Sequence, residues 1–158
     1  SSMNEKARKT KTRSEINAIK LAIKAYEATY GVIPFANGTT DTITLTSNQY
    51  AQLMEWLTQS NCNFSDGHDV NGIDTQGNLR KIKFLDPLPN GGIYTDPWKH
   101  EYIICIDGNY NGQVTIGSTT YYGDIFIYSY GKNGVNNNGM NTTNGGSKGT
   151  DDINSWDK

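Results

Sequence analysis

The sequence is short of what most enzymes and membrane proteins need. It has 2 histidines and 2 cysteines in 158 residues. His68 lies in a polar stretch and His100 in a turn just past Asp96-Pro97-Trp98. No serine or cysteine sits in a nucleophile-elbow pattern, and neither an HExxH zinc motif nor a Walker phosphate loop is present. An enzymatic function is therefore not expected. Cys62 and Cys105 have no metal-type spacing. In an oxidising compartment they can form one disulfide, and the sequence leaves that pairing open. No apolar run is long enough to span a bilayer, and no signal peptide is visible. Hydrophobic residues make up only 35% of the chain, and 17 glycines point to long loops. The length still predicts one domain with its own core.

Charge is scarce overall but unevenly placed. Residues 1–24 carry seven Lys or Arg against Glu5 and Glu15, and the remaining chain carries seven against fourteen acids. A basic start is compatible with a nucleic-acid arm, a juxtamembrane segment or a solvated helix end. No aromatic residue is interleaved among Lys6, Arg8, Lys9, Lys11 and Arg13, which argues against base stacking and hence against nucleic acid as a partner.

What is present reads as α+β. Ile16, Ile19, Ile23, Tyr26 and Tyr30 recur at three- and four-residue steps, predicting an amphipathic helix over about 4–30. Gly31 ends it and Pro34 prevents its resumption. Thr42–Thr46 is a short strand or an extended lead-in. Ser47 is expected to cap a second helix over about 47–60, with Tyr50, Leu53, Met54 and Leu57 on its apolar face and Trp56 beside it. Residues 61–79 read as loop. Within about 80–156 the expected strands are Arg80–Leu85, Glu101–Asp107, Gln113–Gly117 and Tyr121–Tyr130. Glu101–Asp107 is apolar on both faces, so it is expected to be buried, with a helix on one side. One long helix packed on a small antiparallel sheet is the predicted architecture.

The end of the chain carries the chemistry of interest. The strand Asp124–Tyr130 runs into a loop holding Asn133, Asn136, Asn137, Asn138, Asn141 and Asn144 among glycines, and returns at Asp151-Asp152-Ile153-Asn154-Ser155-Trp156. Oxygen-rich, flexible backbone closed by adjacent carboxylates suits calcium. A solvated polar loop is the alternative. Asp66, Asp69 and Asp74 lie in another Gly-containing loop, but their spacing is not that of an EF-hand, and a solvated turn is the better reading. In Asp96-Pro97-Trp98, Asp96 can accept backbone N–H bonds, Pro97 presets φ, and Trp98 packs.

Three segments together resemble the major pseudopilin of type II secretion systems, a member of the pilin-like superfamily. Tyr128-Ser129-Tyr130-Gly131-Lys132-Asn133-Gly134, followed by Asp152-Ile153-Asn154-Ser155-Trp156, resembles that family's Tyr-Ser-Leu-Gly-Ala-Asp-Gly, Gly-rich loop and Asp-Ile-Gly-Asn-Trp. Asp96-Pro97-Trp98-Lys99-His100-Glu101-Tyr102 resembles its Asp-Pro-Trp-Gly-Asn-Pro-Tyr, with Lys99-His100-Glu101 departing from the usual Gly-Asn-Pro. Residues 12–34 resemble the exposed half of its N-terminal helix. The order matches and the segments span nearly the whole chain.

The resemblance implies a structural subunit rather than an enzyme. It implies a leader and a hydrophobic membrane helix ahead of this segment, with Ser1-Ser2-Met3 read as a cloning remnant and 4–158 as one pilin-like domain. Its partners would be copies of itself and other pseudopilins in a periplasmic fibre, and inner-membrane components of the secretion system. The protein would sit on the periplasmic side of the bacterial inner membrane, anchored only through that preceding helix. The family's calcium ligands fall on the Tyr130 main-chain oxygen, Asn133, Asp151 and Asp152. Asn133 replaces an Asp, which removes one negative charge, and the loop 134–150 is longer than usual. A type IV pilin or minor pseudopilin shares the plan. A calcium-dependent carbohydrate-binding or adhesive module would explain the ten tyrosines and three tryptophans, though not the basic helix.

Overall fold

The structure, a computed structural model, describes residues 2–62, 77–89, 91–139 and 152–157. Helix α1 (Ser2–Tyr30) is followed by β1 (Thr42–Thr44), α2 (Ser47–Thr58), β2 (Ile103–Asp107), β3 (Gln113–Ile116), β4 (Thr119–Tyr122), β5 (Ile125–Ser129) and β6 (Ile153–Asn154). Among the described residues, β1, β2, β5 and β6 form one sheet in that order, and β3 pairs with β4 apart from it. Each pairing is antiparallel. The architecture is α+β: a long N-terminal helix on a small antiparallel sheet.

The helix packs because its apolar residues repeat at helical spacing. Ile16, Ile19, Ile23 and Tyr26 are buried, and the stripe extends back to Thr12, whose hydroxyl donates to the Arg8 carbonyl at 2.8 Å. They share a core with Ile104 and Ile106 of β2, Ile125 and Ile127 of β5, and Ile153 of β6. Register makes this possible: Ile104 lies opposite Ile127 and Ile106 opposite Ile125, so alternation sends all four to one face. The other face carries Cys105, Phe126 and Tyr128, covered by Val114 and Ile116 of β3 with Tyr121 and Trp156 beside them. The two apolar faces of β2 thus have two different covers.

Local signals set the boundaries. Gly31 takes φ 74° after α1, and its N–H returns to the Glu27 carbonyl at 2.7 Å. α2 starts at Ser47, within the expected 47–60, but Thr46, not Ser47, is its N-cap. The Thr46 hydroxyl accepts from the Gln49 N–H at 3.2 Å while the Gln49 side chain accepts from the Thr46 N–H at 2.9 Å, a capping box.

Three strand expectations change. Residues 80–85 form no strand; Phe84 and Leu85 donate their N–H groups to the Leu57 carbonyl instead (2.8 and 3.0 Å). Buried Asn78 organises that segment, donating to the carbonyls of Trp56 and Ile82 and accepting from the Tyr30 hydroxyl. The run 121–130 is split at Gly123 and Asp124, so Tyr121 and Tyr122 belong to the β3–β4 hairpin rather than to β5. Strand β2 begins at Ile103, while Glu101 makes an isolated bridge to Thr95. Cys62 and Cys105 are both buried and free, and lie in different core clusters. Among the described residues no helix is long and apolar enough to cross a membrane.

Ile19 is fully buried and Ile23 nearly so. Ile19→Asp or Ile23→Asp places an unpaired carboxylate in the helix–sheet seam, at a cost comparable to the ~5–15 kcal/mol stability of a small domain. Either variant is expected to lose its cooperative thermal transition. A melt within a few degrees of the parent would show that the seam does not hold the fold.

Candidate functional site at the C-terminal loop

The site is built where β5 ends. Ser129 is buried, and its hydroxyl donates to Asp96 Oδ2 at 2.7 Å and accepts from the Gly131 N–H at 3.0 Å. Asp96 is also buried; its Oδ1 accepts from the N–H groups of Trp98 (3.0 Å) and His100 (2.8 Å). One carboxylate therefore closes the Asp96-Pro97-Trp98 turn and ties it to the first residues of the C-terminal loop. Charge-assisted hydrogen bonds of this kind are stronger than neutral ones. The turn expected for this motif is present, and it reaches a second segment that the sequence reading had not joined to it.

The far end of the loop is held by a second buried carboxylate. Asp152 Oδ2 accepts from the N–H groups of Asn137 (2.8 Å) and Gly139 (2.9 Å). The Asn154 side chain donates to the Gly139 carbonyl and accepts from the N–H groups of Trp156 and Asp157. The Trp156 ring then packs against Tyr121, Phe126 and Tyr128, with centroids 5.0, 5.6 and 6.2 Å away. Tyr128 supports the loop from below, donating to Asn136 Oδ1 at 3.0 Å. Burial pushes the Tyr128 phenol well above its ordinary pKa, so it remains a donor at any physiological pH.

The four residues proposed as calcium ligands are not equally placed. Asp152 lies against the loop, bound to residues 137 and 139. Tyr130 is half-buried, its ring 5.9 Å from that of His100. Asn133 is exposed, and its Oδ1 accepts from the Val135 N–H at 2.8 Å, closing a local turn. Asp151 lies outside the described residues, as do Asp66, Asp69, Asp74 and His68. Among the described residues no three His, Cys, Asp or Glu side chains converge into a metal-ligand group.

One oxygen was not anticipated. Asn137 Oδ1 is buried without a hydrogen-bond partner, on the residue whose N–H is bound by Asp152. A buried acceptor left unsatisfied costs about 1–3 kcal/mol, so such groups call for a partner. Composition had marked Asn137 only as one asparagine among many.

A different turn resembles half of a calcium loop in spacing. Asp107-Gly108-Asn109-Tyr110-Asn111-Gly112 follows D-x-N-x-N-G, with Tyr110 and Gly112 at φ 61° and 80°. Ser118 stands where an EF-hand needs its bidentate Glu. The Asp107 oxygens accept from the N–H groups of Asn111 and Gly112, so the carboxylate closes the turn between β2 and β3.

No protein-family model, no curated protein and no solved structure matches this chain.

Gly139 has φ 75°, and a Cβ there would lie 2.3 Å from the Trp156 ring. Gly139→Ala carries a left-handed backbone penalty of about 1–2 kcal/mol and a steric clash besides. The melting temperature is expected to fall by roughly 2–8 °C for the backbone term alone, and further with the clash. Gly112→Ala, at φ 80° in open space, is the control for the backbone term. Equal losses in the two variants would mean that the loop does not pack on Trp156.

Proposed function

We propose that this chain is the exposed part of a structural subunit of a type II secretion pseudopilus, assembling with copies of itself and other pseudopilins into a periplasmic fibre that supports protein export. The observation that carries this reading is the linkage of its sequence landmarks. The Asp-Pro-Trp turn, the end of β5 and the Gly/Asn loop are joined through Asp96, Ser129 and Gly131, and the loop is drawn back by Asp152 and Trp156. The long helix packed on an antiparallel sheet adds support. The mechanism is assembly. A preceding hydrophobic helix would pack among its neighbours' helices, the sheet and loop would face outward, and the partners would include the system's inner-membrane components. The rival adhesive module draws less support: Trp56 is buried, and Trp156 is spent on internal packing.

Calcium fits the same loop. The donor set is all oxygen, which suits a hard cation, and the orphaned Asn137 Oδ1 belongs to a residue whose N–H is bound by Asp152. The Tyr130 main-chain oxygen, Asn133, Asp151 and Asp152 would hold the ion. A bound cation would offset negative charge and cross-link the two ends of the loop. Asp152 can both accept amides and serve as a ligand, because its two oxygens offer about four lone-pair sites.

Millimolar calcium is expected to raise the melting temperature by several degrees and chelator to reverse it; a ligand at one hundred times its Kd stabilises by ~2.7 kcal/mol. Magnesium should substitute poorly. Asp152→Asn should abolish the response, Asp69→Ala should retain it, and Asn133→Asp should tighten binding. A melt indifferent to calcium and chelator, with no metal found in untreated protein, would remove calcium from the proposal.

The assembly reading has its own test in the gene. The codons preceding Glu5 are expected to encode a leader with a Gly cleavage site, then Phe and an unbroken apolar run with Glu at its fifth position. A secretory signal or an unrelated domain there would overturn the pseudopilin assignment.

A further inference from the structure

The N-terminal half of α1 carries a carboxylate on its buried side. Glu15 sits between Thr12 and Ile16 in the stripe that faces the body, and its side chain is only 14% exposed. Its Oε1 is buried and has no hydrogen-bond partner. Against it lies Tyr102, 1% exposed, whose buried hydroxyl faces both Glu15 and Thr12. The Thr12 hydroxyl donates to the Arg8 carbonyl, which leaves its oxygen as an acceptor toward Tyr102.

The surrounding charges do not favour an ion here. From the turn ahead of β2 come Asp96, buried, and Tyr94; from α2 comes Tyr50, whose hydroxyl donates to the Tyr94 carbonyl. His100 lies behind Asp96, its Nδ1 3.8 Å from Asp96 Oδ1. On the helix itself the nearby cation is Lys11, 4.0 Å away and 70% exposed, so water screens it. An ionised Glu15 would be a desolvated charge facing a second buried carboxylate. Either form of Glu15 can accept from the Tyr102 hydroxyl, but only the neutral form can also donate to it.

We propose that Glu15 is a proton-controlled latch: with its proton it lets the first half of α1 lie against Tyr102 and the Asp96 turn, and on ionising it loosens that half of the helix. The direction follows from linkage. Burial raises the Glu15 pKa above its ordinary 4.5, with Lys11 and the Tyr102 hydroxyl opposing and Asp96 adding to the rise. The docked state thus binds the proton more tightly than the undocked one. Its contribution to docking is complete below about pH 4.5 and is lost as the pH rises through the raised value. Most carboxylates that accept hydrogen bonds give the opposite slope. The latch also reaches the C-terminal loop, because Lys132 Nζ lies 3.9 Å from Glu5 Oε1 at the start of the same helix. This inference does not depend on the pseudopilin reading or on calcium.

The test is amide hydrogen exchange of residues 5–15 between about pH 4.5 and 8, corrected for intrinsic rates, in the native chain and in Glu15→Gln. The native chain is expected to lose protection there as the pH rises, by up to about tenfold for each unit by which the pKa is displaced. Glu15→Gln, which keeps the shape and cannot ionise, is expected to be flat. The same slope in both proteins, or none in the native chain, overturns the proposal. Should Glu15→Gln not fold, carbon-13 titration of the native Glu15 carboxyl decides. Protection that follows its titration supports the latch, and protection that does not follow it overturns the latch.

Discussion

The seam between Ile16, Ile19 and Ile23 of α1 and the facing isoleucines of β2 and β5 is the constraint on which the other arrangements rest. A sheet this small cannot bury an apolar face by itself, and most of a helix's stability in a protein comes from packing its apolar face against a partner. Each element supplies what the other lacks. With one face covered by the helix, the other is free to take the β3–β4 hairpin and Trp156. Strand β5 is therefore buried along its whole length. Its last residue, Ser129, is delivered inside the protein rather than at its surface, which is why a serine hydroxyl there can join two distant segments.

Two buried carboxylates organise what the isoleucines leave open. Asp96 and Asp152 each collect main-chain N–H groups from loop segments with little apolar surface of their own. The loop gains order from directed hydrogen bonds where it has no hydrophobic means of ordering itself. Glu15 is the contrasting case, a carboxylate buried by the position of its helix rather than by a ring of donors. The fold thus places carboxylates in two kinds of setting.

Much of this was readable in advance, and for identifiable reasons. The helix stripe and the stop at Gly31 follow from periodicity and from the φ 74° that glycine tolerates. The apolar face of α2 was equally plain. The split of residues 121–130 was missed because Tyr121 and Tyr122 have high strand propensity in either sheet, and only the φ of 146° at Gly123 separates them. Residues 80–85 looked like a strand by composition, yet the carbonyl of Leu57 offered their amides a better partner than another strand did. At the candidate site, Tyr130, Asn133 and Asp152 were named only through the family resemblance. The Ser129 link and the orphaned oxygen of Asn137 were not, because both depend on which loop residue turns inward. That is a property of tertiary packing rather than of any local pattern.

The order β1-β2-β5-β6 leaves the sheet with its two shortest members outside. β1 has three residues and β6 has two. Such stubs present few open N–H and C=O groups, and β1 is partly screened further by the hydroxyl of Thr42 accepting from the Thr115 amide. Among the described residues, growth of the sheet by recruiting a strand from a neighbouring molecule, the route by which many small β proteins aggregate, is thus disfavoured at both margins. A chain so shaped can be crowded at high local density without fusing sheet to sheet.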